Sequence, residues 1–92
     1  MRTIETSSVF KRDFKRELKG KYKRVLSTEF TYVVECLVND KQLDIKYKNH
    51  PLTGNWGGYW ECHIKPDLLL IYKKIESELL LLARIGSHSE LF

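Results

Sequence analysis

The sequence predicts an α+β fold in one small domain spanning residues 1–92: two antiparallel helices packed on one face of a mainly antiparallel four-stranded sheet, in the chain order β-α-α-β-β-β. Three observations carry this. Apolar residues recur at helical spacing through the first forty positions, and three strand-like runs separated by tight turns fill the last third. A length of 92 residues leaves room for a single core that buries roughly 60 to 65% of the unfolded chain's surface.

Thr3-Ile4-Glu5 is a short strand candidate. Thr6-Ser7-Ser8 then offers hydroxyl N-caps ahead of a stripe of Phe10, Phe14 and Leu18 at i+4 steps, and Gly20 ends that helix. A second helix begins near Tyr22, carries Val25, Leu26, Phe30, Val33, Val34, Leu37 and Val38 on one side, and stops at Asn39-Asp40. Over residues 41–58 no period holds, and Pro51, Gly54, Gly57 and Gly58 predict an ordered loop anchored by Tyr47 and Trp56. Loops this long in a small domain are usually functional or disordered. Strands are predicted over residues 59–64, 68–73 and 79–85.

Turn positions suggest a register. A connection over residues 64–66 sets His63 opposite Asp67 and Glu61 opposite Leu69; a turn centred on Glu76-Ser77 sets Leu69 opposite Arg84 and Ile71 opposite Leu82. Side chains alternate across a sheet, so one face holds Trp60, Cys62, Ile64, Leu68, Leu70, Tyr72, Leu79, Leu81, Ala83 and Ile85, and must meet the helices. The other face is expected to be exposed and to gather His63, Asp67 and Arg84 at one end, where His88 also arrives.

The net charge is +4, but eight of the sixteen Lys and Arg residues lie within residues 11–24, which carry +6 against Asp13 and Glu17. Such a cluster fits a polyanion or an acidic protein partner, although it is also what a solvated helix face looks like. The members that matter are Lys11, Arg12, Lys15, Arg16, Lys19, Lys23 and Arg24. Cys36 and Cys62 lack metal-type spacing, the N-terminal residues have no signal-peptide core, and no apolar run approaches a membrane span; a cytoplasmic location is expected.

No motif of a Ser or Cys nucleophile with a histidine base stands out, and no glycine-rich phosphate loop is present. The evident equipment is His50, His63 and His88 with Asp67 and Arg84. Such a set suits cleavage of an RNA phosphodiester by its own 2′-hydroxyl, which needs a base, a cation beside the phosphorane and an acid for the leaving oxygen. Imidazole serves either proton-transfer role because its pKa lies near 6.5. Each residue also has a plainer reading: a turn for His50-Pro51 and for Pro66-Asp67, a solvated strand position for Arg84, packing anchors for Trp56 and Phe92. His50, His63 and Asp67 would make a two-histidine, one-carboxylate metal set, but no HExxH or paired-cysteine spacing supports it, and no metal or other cofactor is expected.

The spaced pattern His50-Pro51-Leu52-x-Gly54-x-Trp56-x-Gly58-Tyr59, His63-x-x-Pro66-Asp67-x-Leu69-Leu70-Ile71-Tyr72 and Arg84-x-Gly86-x-His88-x-x-Leu91-Phe92 resembles the YafQ branch of the RelE/ParE toxin superfamily. The resemblance covers nearly the whole chain. It implies the toxin half of a type II toxin–antitoxin pair, a ribosome-dependent endonuclease that cuts mRNA in the decoding site, with a cognate antitoxin and the mRNA-loaded ribosome as partners. It further implies His88 as general acid, His50 or Asp67 as general base, His63 and Arg84 at the phosphate, and Phe92, with Trp56, at a nucleotide. The basic tract would grip ribosomal RNA or the antitoxin. Trp60-Glu61 depart from the Arg-containing pattern of many relatives, which bears on phosphate contacts and codon preference. The competing class is a ParE-like toxin that binds DNA gyrase and needs no histidine cluster.

Overall fold

The computed structural model describes residues 1–92. Strand β1 (Thr3–Thr6) leads into α1 (Ser8–Leu18), whose N-cap is Ser7: its Oγ accepts the Phe10 N–H at 2.9 Å. Helices α2 (Lys23–Ser27) and α3 (Glu29–Val38) follow, then a 3₁₀ turn at Ile45–Tyr47, the two-residue strand β2 (His50–Pro51) and a second 3₁₀ turn at Gly54–Trp56. Strands β3 (Trp60–Lys65), β4 (Leu68–Ile75) and β5 (Leu79–Gly86) and the short α4 (His88–Leu91) complete the chain. No helix is long and apolar enough to cross a membrane.

The sheet has five strands in the order β1-β5-β4-β3-β2, not four. Its β1–β5 pair is parallel and the rest are antiparallel. The extra strand is β2, too short and too rich in loop residues to show a period. The expected second helix is also broken, at Thr28 (φ −122°, ψ −87°). There the Ser27 and Thr28 hydroxyls both donate to the Arg24 carbonyl, competing with the helical backbone for acceptors.

The register is shifted by two residues from the sequence reading. Glu61 lies opposite Ile71, not Leu69, and His63 opposite Leu69, not Asp67, because Pro66-Asp67 alone form the turn and Lys65 still pairs with Leu68. Proline at the first central position of a tight turn has its φ already set. In β5 the faces differ as well: Ile71 pairs with Arg84 and Tyr72 with Leu82, leaving Ala83 as a bulge. Leu80 and Leu82 therefore meet the helices in place of Leu79, Leu81 and Ala83, while Ile85 keeps its expected side.

The main core joins Cys62, Ile64, Leu68, Leu70, Tyr72, Leu80, Leu82 and Ile85 to Val33, Leu37 and the rings of Phe10, Phe14 and Phe30, whose centroids are 5.5 to 6.3 Å apart. Leu18, expected in the stripe, is exposed at the end of α1. The second sheet face is not exposed either. Leu69, Ile71, Ala83 and Leu91 form a small second core, closed by Leu52, Trp56 and Tyr59.

Helix α1 has a buried side that is partly ionic. Beyond Leu82, β1 no longer covers the edge of β5, and side chains of the Ser7–α1 segment take over: Ser7 Oγ donates to the Ala83 carbonyl at 2.7 Å, Asp13 Oδ2 accepts the Ile85 N–H at 3.3 Å, and Arg16 Nη2 donates to the Ile85 carbonyl at 3.1 Å. An uncovered edge would leave these backbone groups unpaired. Fully buried Asp13 also accepts two bonds from Arg84, at 2.8 and 2.9 Å.

Candidate active site

Glu61 and His63 stand two apart on β3 and so share a face; His50, on β2, pairs directly opposite Glu61. The carboxylate of Glu61 is only 5% exposed and lies between two imidazoles, 3.3 Å from His50 Nε2 and 3.6 Å from His63 Nε2. The other His50 nitrogen, Nδ1, lies 3.0 Å from the Lys48 carbonyl and donates to it as the N–H tautomer. Glu61 lies at ion-pair distance, not in hydrogen-bond geometry, from Nε2, the nitrogen that the Nδ1–H tautomer leaves free.

A second pair lies across the site. Asp67, in the β3–β4 turn, accepts the backbone N–H of His88 at 3.1 Å and faces its ring Nδ1 at 3.4 Å. The His88 backbone N–H, despite slight desolvation, holds the Asp67 carboxyl below its ordinary range, helped by the ring and its charge. Ring centroids run His50 to His63 at 6.3 Å, His63 to His88 at 5.8 Å and His88 to Phe92 at 6.4 Å, a row that ends on the 62% exposed Phe92.

His88 is held by the way α4 docks. Ser87 and Glu90 form a reciprocal cap in which Oε1 of Glu90 accepts the Ser87 N–H at 2.8 Å and Ser87 Oγ accepts the Glu90 N–H at 3.3 Å. Leu91 seats in the second core, and Glu90 Oε2 meets Arg16 Nε at 2.8 Å. That same Arg16 also bonds Glu17 at 2.9 Å and Asp13 at 3.1 Å. Burial and the nearby Glu90 charge push the Glu17 carboxyl up against the pull of Arg16, whereas the Ser87 N–H holds Glu90 down.

Gly86 makes this docking possible: a Cβ there would lie 2.7 Å from Arg16 Nη2, 3.0 Å from Glu90 Oε1 and 3.2 Å from Leu91 Cδ2. Gly86→Ala is expected to cost about 1 to 3 kcal/mol and to loosen α4 selectively. Amide hydrogen exchange would show protection lost over residues 87–92 while the α3 amides stay protected; unchanged protection at Leu91 would contradict it.

The structure brings His50, His63, Asp67, His88 and Phe92 to one surface, but not the other expected residues. Arg84 points along the sheet edge to Asp13, its Nε and Nη2 both engaged there. Trp56 packs edge-to-face on Tyr59 at 5.1 Å and closes the second core. In the basic tract Lys11, Arg12, Lys15, Lys19, Lys23 and Arg24 are exposed, whereas Arg16 is consumed by the α1–α4 network. The metal set His50, His63 and Asp67 is not assembled, since Asp67 meets His88 while the other two meet Glu61, and no three His, Cys, Asp or Glu side chains converge in an ion-holding geometry. Glu61 joins the histidines although it is not among the residues expected at the site. Its alternation with His63 was visible, but its burial between two histidines depends on β2.

Two histidine–carboxylate pairs with a third imidazole between them, set on the second face of a five-stranded mixed sheet, define a small α+β protein equipped for proton transfer. Residues 2–92 match the family described as the bacterial toxin of type II toxin–antitoxin systems, YafQ, and the chain belongs to that family. The mRNA interferase toxin YafQ of Escherichia coli K12 is 38% identical over 92 residues, which cover 99% of this chain and 96% of the relative. Among solved structures, the metal-bound toxin from Helicobacter pylori is similar over 100% of both chains with 45% identity and a TM-score of 0.85. The E. coli DinJ–YafQ complex contains a chain 36% identical with a TM-score of 0.82, over 100% of this chain and 99% of that one.

Proposed function

We propose that this toxin is an mRNA interferase: a cytoplasmic endoribonuclease that cuts mRNA in the ribosomal A site by metal-independent general acid/base catalysis, stops translation, and is restrained by a cognate antitoxin. The observation that carries the reading is the pairing of each outer histidine with its own carboxylate, Glu61 for His50 and Asp67 for His88. The name of the E. coli relative supports the activity, and the DinJ–YafQ complex supports the antitoxin partner.

In this mechanism His50 accepts the 2′-hydroxyl proton at Nε2 as the 2′-oxygen attacks phosphorus, and Glu61, 3.3 Å from that nitrogen, stabilises the imidazolium that forms. Asp67 is already engaged by His88, which favours His50 over Asp67 as the base. His63, in the middle of the row, faces the phosphorane charge. The bond from phosphorus to the 5′-oxygen breaks, and His88 protonates that oxygen, leaving a 2′,3′-cyclic phosphate and a 5′-hydroxyl. Phe92 stacks on a nucleotide beside His88. Arg84 supports this set from the Asp13 side by holding β5 against α1, and the exposed members of the basic tract contact ribosomal RNA or the antitoxin.

Primer extension on mRNA in a translating extract tests the proposal. Cuts confined to ribosome-engaged codons are expected, and intact transcripts with broken DNA would instead indicate a gyrase poison. Because the H. pylori relative has been seen with metal bound, the assay should be repeated with a chelator selective for transition metals that leaves the ribosome's magnesium in place. Cleavage is expected to persist; loss restored by one added metal would overturn the metal-independent step.

A further inference from the structure

Beside the imidazole row, between the 3₁₀ turn at Ile45–Tyr47 and the β3–β4 turn, lies a groove of about 510 Å³. Lys46, Lys48, Lys65 and Glu29 line it together with His63 and His88, so it is continuous with the acid side of the site. Glu29 is neutralised by its ion pair with Lys65. Lys46 and Lys48 meet no carboxylate, and Lys46 Nζ rests 5.1 Å from the centroid of the Tyr47 ring. We propose that this groove binds the backbone phosphate adjacent to the scissile one on the mRNA strand, with Lys46 and Lys48 as its contacts; the proposal rests on the reading of the site as an RNA-cleaving one.

A second observation singles out Lys48. Its backbone is left-handed (φ 48°, ψ 44°), a conformation that costs energy for a residue with a Cβ. That conformation directs the Lys48 carbonyl to His50 Nδ1 while the same residue lines the groove. One residue therefore ties the proposed base to a cationic wall. The groove suits a phosphodiester better than a base, because its aromatic ring, Tyr47, is only 3% exposed and offers no stacking face. It also suits single-stranded RNA better than an acidic peptide, since it runs directly into the row where the scissile phosphate sits.

The test uses ribosomes programmed with mRNA that carries a neutral methylphosphonate on one or the other side of the cleaved bond, cut in single turnover by the intact toxin. One of the two replacements is expected to raise the half-saturating toxin concentration about tenfold with the maximal rate unchanged. The double variant Lys46→Gln/Lys48→Gln, checked to melt like the wild type, is expected to show the same loss on ordinary mRNA and no further loss with the methylphosphonate. Its log–log salt slope should fall by roughly 0.7 per phosphate contact removed. Wild-type behaviour of the variant, or losses that multiply, would overturn the proposal. So would normal cleavage with weakened antitoxin binding, which would assign the groove to the protein partner. If the wild type itself fails to cut, the function falls and the groove with it; if it cuts but ignores both replacements, the groove alone falls.

Discussion

His88→Ala is expected to lower the rate of mRNA cleavage by about 10² to 10⁴ while leaving the half-saturating toxin concentration nearly unchanged. In the proposed mechanism the side chain acts in the transition state, where the 5′-oxygen leaves with a developing negative charge. In that mechanism Asp67 holds the Nδ1 side of His88, and it is the imidazolium form that delivers its Nε2 proton. A substrate whose leaving atom is sulfur needs no such proton. An mRNA with a 5′-bridging phosphorothiolate at the cut site should therefore be cleaved by His88→Ala at close to the wild-type rate, whereas His50→Ala should remain slow on it. Slow cleavage of that substrate by His88→Ala would show that His88 does not act as the acid.

Asp13→Ala is expected to destabilise the fold by about 3 to 5 kcal/mol, a large share of the roughly 5 to 15 kcal/mol that holds a small domain together. The variant removes the carboxylate that accepts two bonds from Arg84, one from Arg16 and the Ile85 N–H, and it leaves the half-buried Arg84 without its partner. At roughly 4 to 8 °C per kcal/mol for a domain of this size, the melting temperature should fall by at least about 12 °C. A drop under about 4 °C in a thermal melt would mean that the ionic seam contributes little.

The same seam has a defined pH dependence. Burial alone would raise the Asp13 pKa, but the Arg84 and Ile85 hydrogen bonds and the Arg84 and Arg16 charges outweigh it, so the folded value lies below the ordinary 3.8. A lowered folded pKa means that the carboxylate's contribution is fully present above 3.8 and is lost as pH falls through the folded value. The wild type should lose stability below about pH 4 more steeply than Asp13→Asn. Asp67, lowered in the same direction, loosens the His88 contact over the same range.

Much of this protein can be read along the chain because the signals are local. Ser7 caps α1, Asn39-Asp40 stop α3, and the run Leu68–Ile75 is a strand wherever it is placed, since each depends on neighbours within a few residues. The residues of the spaced motif His50, His63, Asp67, His88 and Phe92 also come to one surface. What the chain could not reveal are the features decided by pairings across it. The bulge at Ala83 exchanges the faces of β5 over residues 79–82 and leaves Arg84 and Ile85 on their expected sides, because a one-residue slip in a period of two swaps inside for outside. Arg84 looked like a phosphate contact until Asp13, 71 positions away, claimed it, and Arg16 looked solvated until α4 docked on it. Glu61 became the partner of His50 only when a two-residue strand closed the sheet. Helix caps and periodicity are written in adjacent residues; which charges meet is decided only when packing brings distant segments together and burial forces each ionised group to find a counterion.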